Sequence, residues 1–183
     1  MTVAPTIETQ RLRLRAHVEG DFAPYADMFA SERSRHMHGP LDRRQAWFAF
    51  CGDVAQWSLM GHGAWAVERR EDQALIGQVA LNKPPHFPEL ELGWVLFDGF
   101  EGKGYATEAA MAARDYAYAE LGEESVVSYV TPDNTRSIAV AERLGAMRDD
   151  AAPRPDGEGA DEVLVFRHPS ADALMDGGME AYA

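Results

Sequence analysis

Two glycines flank a lysine in FEGKGYATEAAM, Phe100 to Met111, and the residues that follow read at once as a helix. Gly102, Lys103 and Gly104 are the residue types of an anion site. The first turn of a helix leaves backbone N–H groups without internal partners and carries a partial positive charge. A phosphate satisfies both demands. Glycines let the backbone approach such a ligand and adopt positive φ, and the lysine adds a cation. The same pattern also describes a plain strand-to-helix turn. It is neither a Walker loop, which needs Lys followed by Ser or Thr, nor a dinucleotide fingerprint, which needs a third glycine in a βαβ unit. Just upstream, Glu89 and Glu91 lie two apart in a strand and so project to one face, as a chemically active pair or as solvated carboxylates. His36 and His38 in RHMHG have the spacing of an acid/base or metal pair, but no carboxylate partner is visible, and they read as a helix–loop pair.

These residues need elements to hold them. LELGWVLF, Leu90 to Phe97, is an apolar run of β-preferring types leading into the glycine loop. In the helix after the loop, Ala106, Ala109, Ala110, Ala113 and Ala117 form a small-residue face for a sheet, opposite Thr107, Glu108, Arg114 and Asp115. RLRLR from Arg11 alternates as a strand, and EGDFAPYADMFA and LDRRQAWFAFCGDVAQWSL carry helical periodicity. GAWAVERR and ALIGQVALN are strands joined by short polar or proline-rich links, which suit antiparallel neighbours. SVVSYV is a strand, DNTRSIAVAERLG a helix capped by Asp or Asn and closed on Gly145, and AMRDD and EVLVFRH a final strand pair. The predicted order is β α α β β β α β α β β. Residues 148–162 read as an exposed hairpin loop, and residues from about 170 as a tail that can fray.

A chain of 183 residues suits one domain, with 46% hydrophobic and 26% charged residues. The net charge of −13 and the lack of a basic run argue against nucleic acid; they suit solubility or an acidic pocket for cationic substrates. The single cysteine, Cys51, excludes an internal disulfide and is expected in the core, and no metal-ligand cluster accompanies it. No signal core or membrane span is visible, so the expected location is the cytoplasm.

Taken in order, ETQRLRLR, ALIGQVAL, ELELGWVLFDGFEGKGYATEAA and TPDNTRSIAVAERLGAM resemble the GNAT superfamily of N-acetyltransferases, in the branch that includes the ribosomal-protein N-terminal (Rim-type) enzymes. The resemblance covers nearly the whole chain, read as one acetyltransferase domain over residues 1–183. It implies an α+β fold: a mostly antiparallel twisted sheet, flanked by helices and splayed between the fourth and fifth expected strands. It implies acetyl-CoA as acetyl donor, no metal, and an acceptor that is a primary amine of a small molecule or of a protein N-terminus, attacked directly in a ternary complex. A CoA-binding sensor or interaction module of the same fold is the alternative, and a homodimer is compatible with either.

By the same resemblance the loop holds the pyrophosphate through backbone amides, with Gly102, Lys103, Gly104, Tyr105 and Ala106 as the contact residues. The run Trp94, Val95, Leu96 supplies unpaired amides to the acyl oxygen and the pantetheine arm, and Asn134 bonds to one of that arm's amides. Asn134 is also a helix-cap candidate in its own right. Glu91 stands where relatives carry the base, with Glu89 as second candidate, because an ammonium must lose a proton before it can attack. The tyrosine that often protonates the departing thiolate falls at Ala141, so that role passes to Ser137, one turn beyond Asn134. Gly99 replaces the loop's usual Arg or Gln, and Glu101 its usual aromatic; beside a pyrophosphate, that carboxylate is unfavourable unless it points to solvent.

Overall fold

The computed structural model describes residues 3–180. Its strands are β1 (Ile7–Glu8), β2 (Leu12–Arg15), β3 (Ala64–Arg69), β4 (Leu75–Asn82), β5 (Glu91–Leu96), β6 (Val127–Val130), β7 (Met147–Arg148) and β8 (Leu164–Arg167). The helices are α1 (Phe22–Phe29), α2 (Arg43–Met60), α3 (Tyr105–Ala119), α4 (Thr135–Arg143) and α5 (Ala171–Glu180), with a six-residue 3-10 segment at Glu32–Met37. Among the described residues the strands form one sheet in the order β1-β2-β3-β4-β5-β6-β8-β7. Every neighbour pair is antiparallel except β5 with β6. The fold is the mixed α/β arrangement expected, and β1 and α5 are the elements added to the predicted order. Residues 171–180 of the expected tail are helical, and residues 181–183 lie outside the described residues.

Alternation along the strands sorts the side chains onto two faces. One face carries Leu12, Leu14, Trp65, Val67, Val79, Leu81 and Leu92, and the small side of α3, Ala109, Ala110, Ala113 and Ala117, closes against it. Alanines let the helix approach closely, so shape complementarity rather than bulk holds this layer. The α3 face corrects one expectation: Arg114, assigned to the outer side, is only 4% exposed and donates to Leu144 O at 2.9 Å, satisfying the end of α4. The other face receives α1 and α2 through Tyr25, Phe29, Phe50, Val95 and Phe97. Helix α2 begins in a reciprocal cap, with Gln45 N–H bonded to Asp42 Oδ1 and Asp42 N–H to Gln45 Oε1, both at 2.8 Å. Cys51, expected in the core, is half-buried on this helix and free.

Two further features set up the site. β5 and β6 share a single register pair, Glu91 opposite Val127, so the sheet opens beyond it. Counted without the short β1, this is the splay expected between the fourth and fifth strands. The 148–162 segment, expected to be exposed throughout, is partly docked: Ala152 and Pro155 are buried, and Asp156 N–H donates to His86 O at 2.9 Å. That contact brings the β7–β8 loop over the connection between β4 and β5. Among the described residues no helix is long and apolar enough to cross a membrane, and among them no group of three or more His, Cys, Asp or Glu is placed to hold a metal ion.

Candidate active site

The glycine loop runs from the end of β5 to the start of α3. Gly102 and Gly104 have φ of 73° and 80°, the left-handed region that favours glycine, and Gly104 is the N-cap of α3. The helix start is tied down from the opposite end of the sequence. Arg11 bonds Glu108 Oε2 through Nε at 2.6 Å and Lys103 O through Nη1 at 2.9 Å, and its guanidinium lies 4.7 Å from the centre of the Tyr105 ring. Glu108 also accepts from Arg11 N–H at 2.8 Å and from Thr9 Oγ1 at 2.6 Å. The acidic residue of the first turn is therefore held by the turn between β1 and β2, leaving the helix N-terminus to another anion. Sequence reasoning missed this role of Thr9, Arg11 and Glu108. Tyr105 is buried and anchors the turn, whereas Lys103 reaches back across the loop to Gly99 O at 3.1 Å. Glu101, partly exposed, is neutralised by pairing with Arg33, which also reaches Asp98 at 3.3 Å and Leu96 O at 3.0 Å.

The opening between β5 and β6 has a definite polarity. Phe97 N–H donates to Ile76 O at 2.8 Å and Val95 C=O faces Gly77, so odd-numbered residues of β5 direct their backbone groups to β4. Even-numbered residues face the other way: Leu90 C=O accepts Val127 N–H at 3.0 Å and Leu92 C=O accepts Ser128 Oγ at 2.6 Å. Trp94 and Leu96 continue that series past the last strand pair, and their N–H groups face the opening. Val95, grouped with them from sequence, directs its backbone groups into the β4 pairing instead. On the far side Asn134 caps α4, its Oδ1 accepting Ser137 N–H at 3.2 Å, which leaves its NH2 as the group it can offer a ligand. Ser137 is partly exposed on the same turn, and Ala141 is fully buried.

The 3-10 segment joins the two sides. Arg33 fixes it to the β5 end and the loop, while His36 Nδ1 lies 2.7 Å from Thr131 Oγ1 and 3.5 Å from Asp133. His36 thus has a carboxylate neighbour that the sequence does not display, and it fastens the α1–α2 connection across the opening. His38 ends the same segment in a left-handed conformation (φ 60°).

Below this strap lie the carboxylates. Glu89 is held by Arg167 through two bonds of 2.9 and 3.0 Å, and Arg167 is further engaged by Asp149 at 2.8 Å. Glu91 is different: Asn82 Nδ2 donates to its Oε2 at 3.1 Å, and Gly93 leaves open the space beside it. Burial pushes the Glu91 carboxyl up to about 7, with the negative charges of Glu158 and Asp53 adding to the rise and the Asn82 bond acting against it. Asp53 on α2 is a further carboxylate that sequence reasoning did not single out. Burial raises its pKa too, against the bonds it accepts on Oδ2 from Gln78 Nε2 at 2.9 Å and Tyr25 Oη at 3.0 Å. Its signal was available: one acid within a mostly apolar stretch of helix, FAFCGDVAQW, and one glutamine in a buried strand, ALIGQVAL.

Residues 11–147 match the model of the acetyltransferase (GNAT) domain. The structure is similar to that of an acetyltransferase from Agrobacterium tumefaciens str. C58, with 47% identity, 91% of this chain and 95% of that one covered, and a TM-score of 0.85. It is also similar to a Vibrio cholerae protein assigned as a ribosomal-protein-serine acetyltransferase, with 27% identity over 92% of this chain and all of that one, and a TM-score of 0.74. YnaD of Bacillus subtilis (strain 168), named an N-acetyltransferase, is 33% identical over 82 residues; the match spans 44% of this chain and about half, 47%, of that protein. A glycine loop at the head of α3, a sheet that opens beside it and a match over residues 11–147 lead to one conclusion: the chain belongs to the GNAT family of acetyltransferases.

Proposed function

We propose that this acyltransferase moves the acetyl group of acetyl-CoA to a primary amine by direct attack in a ternary complex. The residues present fit the donor. Gly102 and Gly104 hold a side-chain-free cradle against the N-terminus of α3, and Trp94 and Leu96 offer amides at an open sheet edge. Bound acetyl-CoA supplies an activated thioester, and every other element of the chemistry belongs to the chain. Gly102 to Ala106 receive the phosphates, Lys103 adding an exposed charge, and the Asn134 amide NH2 holds the pantetheine arm. Glu91 takes a proton from the acceptor ammonium, freeing the lone pair that forms the new C–N bond. The N–H groups of Trp94 and Leu96 receive the charge that develops on the acyl oxygen. Ser137 delivers a proton to the sulfur as the C–S bond breaks, and the second proton that the nitrogen sheds on becoming an amide restores the serine hydroxyl. Glu89, neutralised by Arg167, holds the β5 and β8 ends together and is not the base in this reading.

One observation carries the proposal: a carboxyl whose pKa is about 7 stands at the last pair before the sheet opens. A base is most effective when its pKa lies near the working pH. The test is a screen of primary amines and N-terminal peptides with acetyl-CoA, read as free thiol release. Release with an amine supports the reading, whereas heat stabilisation by acetyl-CoA without release for any acceptor identifies a CoA-binding module instead. The chain's −13 charge and the absence of a membrane-crossing helix among the described residues support a small-molecule or peptide acceptor in the cytoplasm.

A further inference from the structure

β5 runs on to Leu96 and β6 to Val130, yet the two strands share one register pair, Glu91 opposite Val127. In that pair Val127 N–H donates to Leu90 C=O at 3.0 Å. Continued by one step, the parallel register would set Tyr129 N–H on Leu92 C=O and Trp94 N–H on Tyr129 C=O. Among the described residues that next step, Leu92 with Ser128, is absent from the register. The Leu92 carbonyl is taken by a side chain instead: Ser128 Oγ donates to it at 2.6 Å. A hydroxyl therefore stands between the strands where a backbone amide would close them. Ser128 shares the α3 face of the sheet with Val126, whereas Glu91 lies on the other face with Val127.

The hydroxyl is held in that direction. A carbonyl only accepts, so the Ser128 proton lies on the line to Leu92 O, and the hydroxyl's lone pairs are left for a donor. His168 Nε2 lies 3.0 Å from Ser128 Oγ and so carries the ring proton. Its Nδ1 is then the bare nitrogen, buried without a hydrogen-bond partner among the described residues. Burial, with the positive charge of Arg114 adding to it, pushes the His168 pKa down to about 4, so the ring stays neutral near pH 7. The backbone anchors the ring as well: His168 N–H donates to Val126 C=O at 2.9 Å, just ahead of β6. A serine beside a histidine has the parts of a nucleophile and its base. Here the serine proton is turned away from the imidazole, and Ser128 is only 2% exposed, so the pair directs a hydrogen bond and does not react.

Closure by one more step would consume the amide that acetyl transfer needs. Trp94 N–H is the group assigned above to the charge on the acyl oxygen, and the continued ladder would give it to Tyr129 C=O. Resting on the acetyl-transfer reading, we propose that Ser128, oriented by His168, is a positioning residue: its hydroxyl occupies Leu92 C=O, stops the β5–β6 ladder after Glu91 and Val127, and keeps Trp94 N–H free for the thioester. The same bond holds Tyr129 N–H off its ladder acceptor. Removing the hydroxyl frees the carbonyl, and the strands then gain two backbone hydrogen bonds that acetyl-CoA must break to enter. The cost of losing Ser128 therefore falls on cofactor binding more than on the stability of the fold.

Amide hydrogen exchange followed by NMR, together with calorimetric titration with acetyl-CoA, tests this. In the ligand-free wild-type protein Tyr129 N–H should exchange at least about tenfold faster than the paired Val127 N–H. In Ser128→Ala the Tyr129 amide should slow by about tenfold or more, and acetyl-CoA should bind roughly 5- to 150-fold more weakly, the range of two ordinary backbone hydrogen bonds. Ser128→Thr keeps the hydroxyl and should hold affinity within about threefold of wild type. The KM for acetyl-CoA should rise in Ser128→Ala by the same factor with kcat near wild type, because a bound thioester has already parted the strands. A wild-type Tyr129 amide as protected as that of Val127 overturns the proposal, and this measurement decides alone if the variants do not fold. A Ser128→Ala protein that melts lower but binds acetyl-CoA as wild type does also overturns it, since that is a structural role only. Thiol release separates the two readings. Weaker binding and a protected Tyr129 in Ser128→Ala, with no release from the wild-type protein for any amine, uphold the positioning role and remove acetyl transfer, whereas release with an unchanged KM in the variant upholds transfer and removes the positioning role.

Discussion

Replacing Glu91 with glutamine keeps the shape of the side chain, and an oxygen that can still accept from Asn82, while removing the titrating group. Two opposite effects follow. The first is catalytic: loss of the proton acceptor should lower turnover roughly 10²- to 10⁴-fold near neutral pH. The loss should shrink as pH rises, since more of the amine is then already free base. The second concerns stability, and its sign comes from the pKa itself. The Glu91 carboxyl ionises at about 7 in the folded protein against 4.5 for the ordinary side chain. Below both values it is protonated in the folded and unfolded chain, and it carries no penalty. Between them the unfolded chain releases its proton first, so wild-type stability falls as pH rises through that window. Above about 7 the penalty is complete, roughly 3 kcal/mol at about 1.4 kcal/mol per pH unit. Glu91→Gln should therefore match wild type near about pH 4 and be more stable by up to roughly 3 kcal/mol near about pH 8. Urea denaturation at both pH values and steady-state rates on an amine found in the screen measure the two effects. A variant with near wild-type turnover across the range refutes Glu91 as base; a stability difference that does not grow with pH refutes the buried, raised carboxyl.

The loop, the thiolate end and the sheet make separate predictions. Saturation with acetyl-CoA at about 100 times its dissociation constant should add roughly 2.7 kcal/mol, a melting shift of about 5 to 10 °C for this size. Gly104→Val should abolish that shift in a folded protein, because φ is 80° there, whereas Lys103→Ala should reduce it only slightly; calorimetry showing the lysine change to be worse refutes the amide cradle. Ser137→Ala should lower turnover with little recovery at high pH while binding acetyl-CoA as wild type does, and rescue by base would remove Ser137 from the thiolate step. Gly77→Ala should destabilise the sheet by about 1 to 3 kcal/mol or more in thermal denaturation, since its Cβ would stand 2.2 Å from Val95 O; an unchanged melting temperature would show that β4 and β5 are not paired this closely.

Much of the frame was legible because it is written in local pattern. Alternation marked Leu12 and Leu14, the alanine stripe marked the buried side of α3, and Asp133 and Asn134 marked the start of α4. What could not be read were pairings between distant positions. Arg11 with Glu108, Arg33 with Glu101, and His36 with Asp133 join segments that approach only once the sheet has formed. Each changed the meaning of a residue. Glu101 became the fastening of the strap, His36 acquired a carboxylate, and Arg114 moved from the polar side of α3 to the buried end of α4. Glu89 and Glu91, equivalent by spacing, separated because Arg167 from β8 reaches one of them and only an amide reaches the other.

The site is marked by where the two faces of one sheet depart from each other. Toward α3 the strands are apolar, as burial favours. Toward α1 and α2 the middle strands carry Gln78, Asn82 and Glu91, and α2 adds Asp53, all of which folding alone would replace with apolar side chains. Two carbonyls are left without donors there, and both carboxyls are held above their ordinary range. Such groups are unfavourable for the empty protein and favourable only when a cation or a proton reaches them. A substitution that made this face apolar should raise stability and end recognition together, whereas an equally buried change toward α3, such as Leu14→Ala, should cost about 2 to 5 kcal/mol and leave acceptor preference as it was. The opposite response of the two faces is what separates a functional lining from a merely imperfect core.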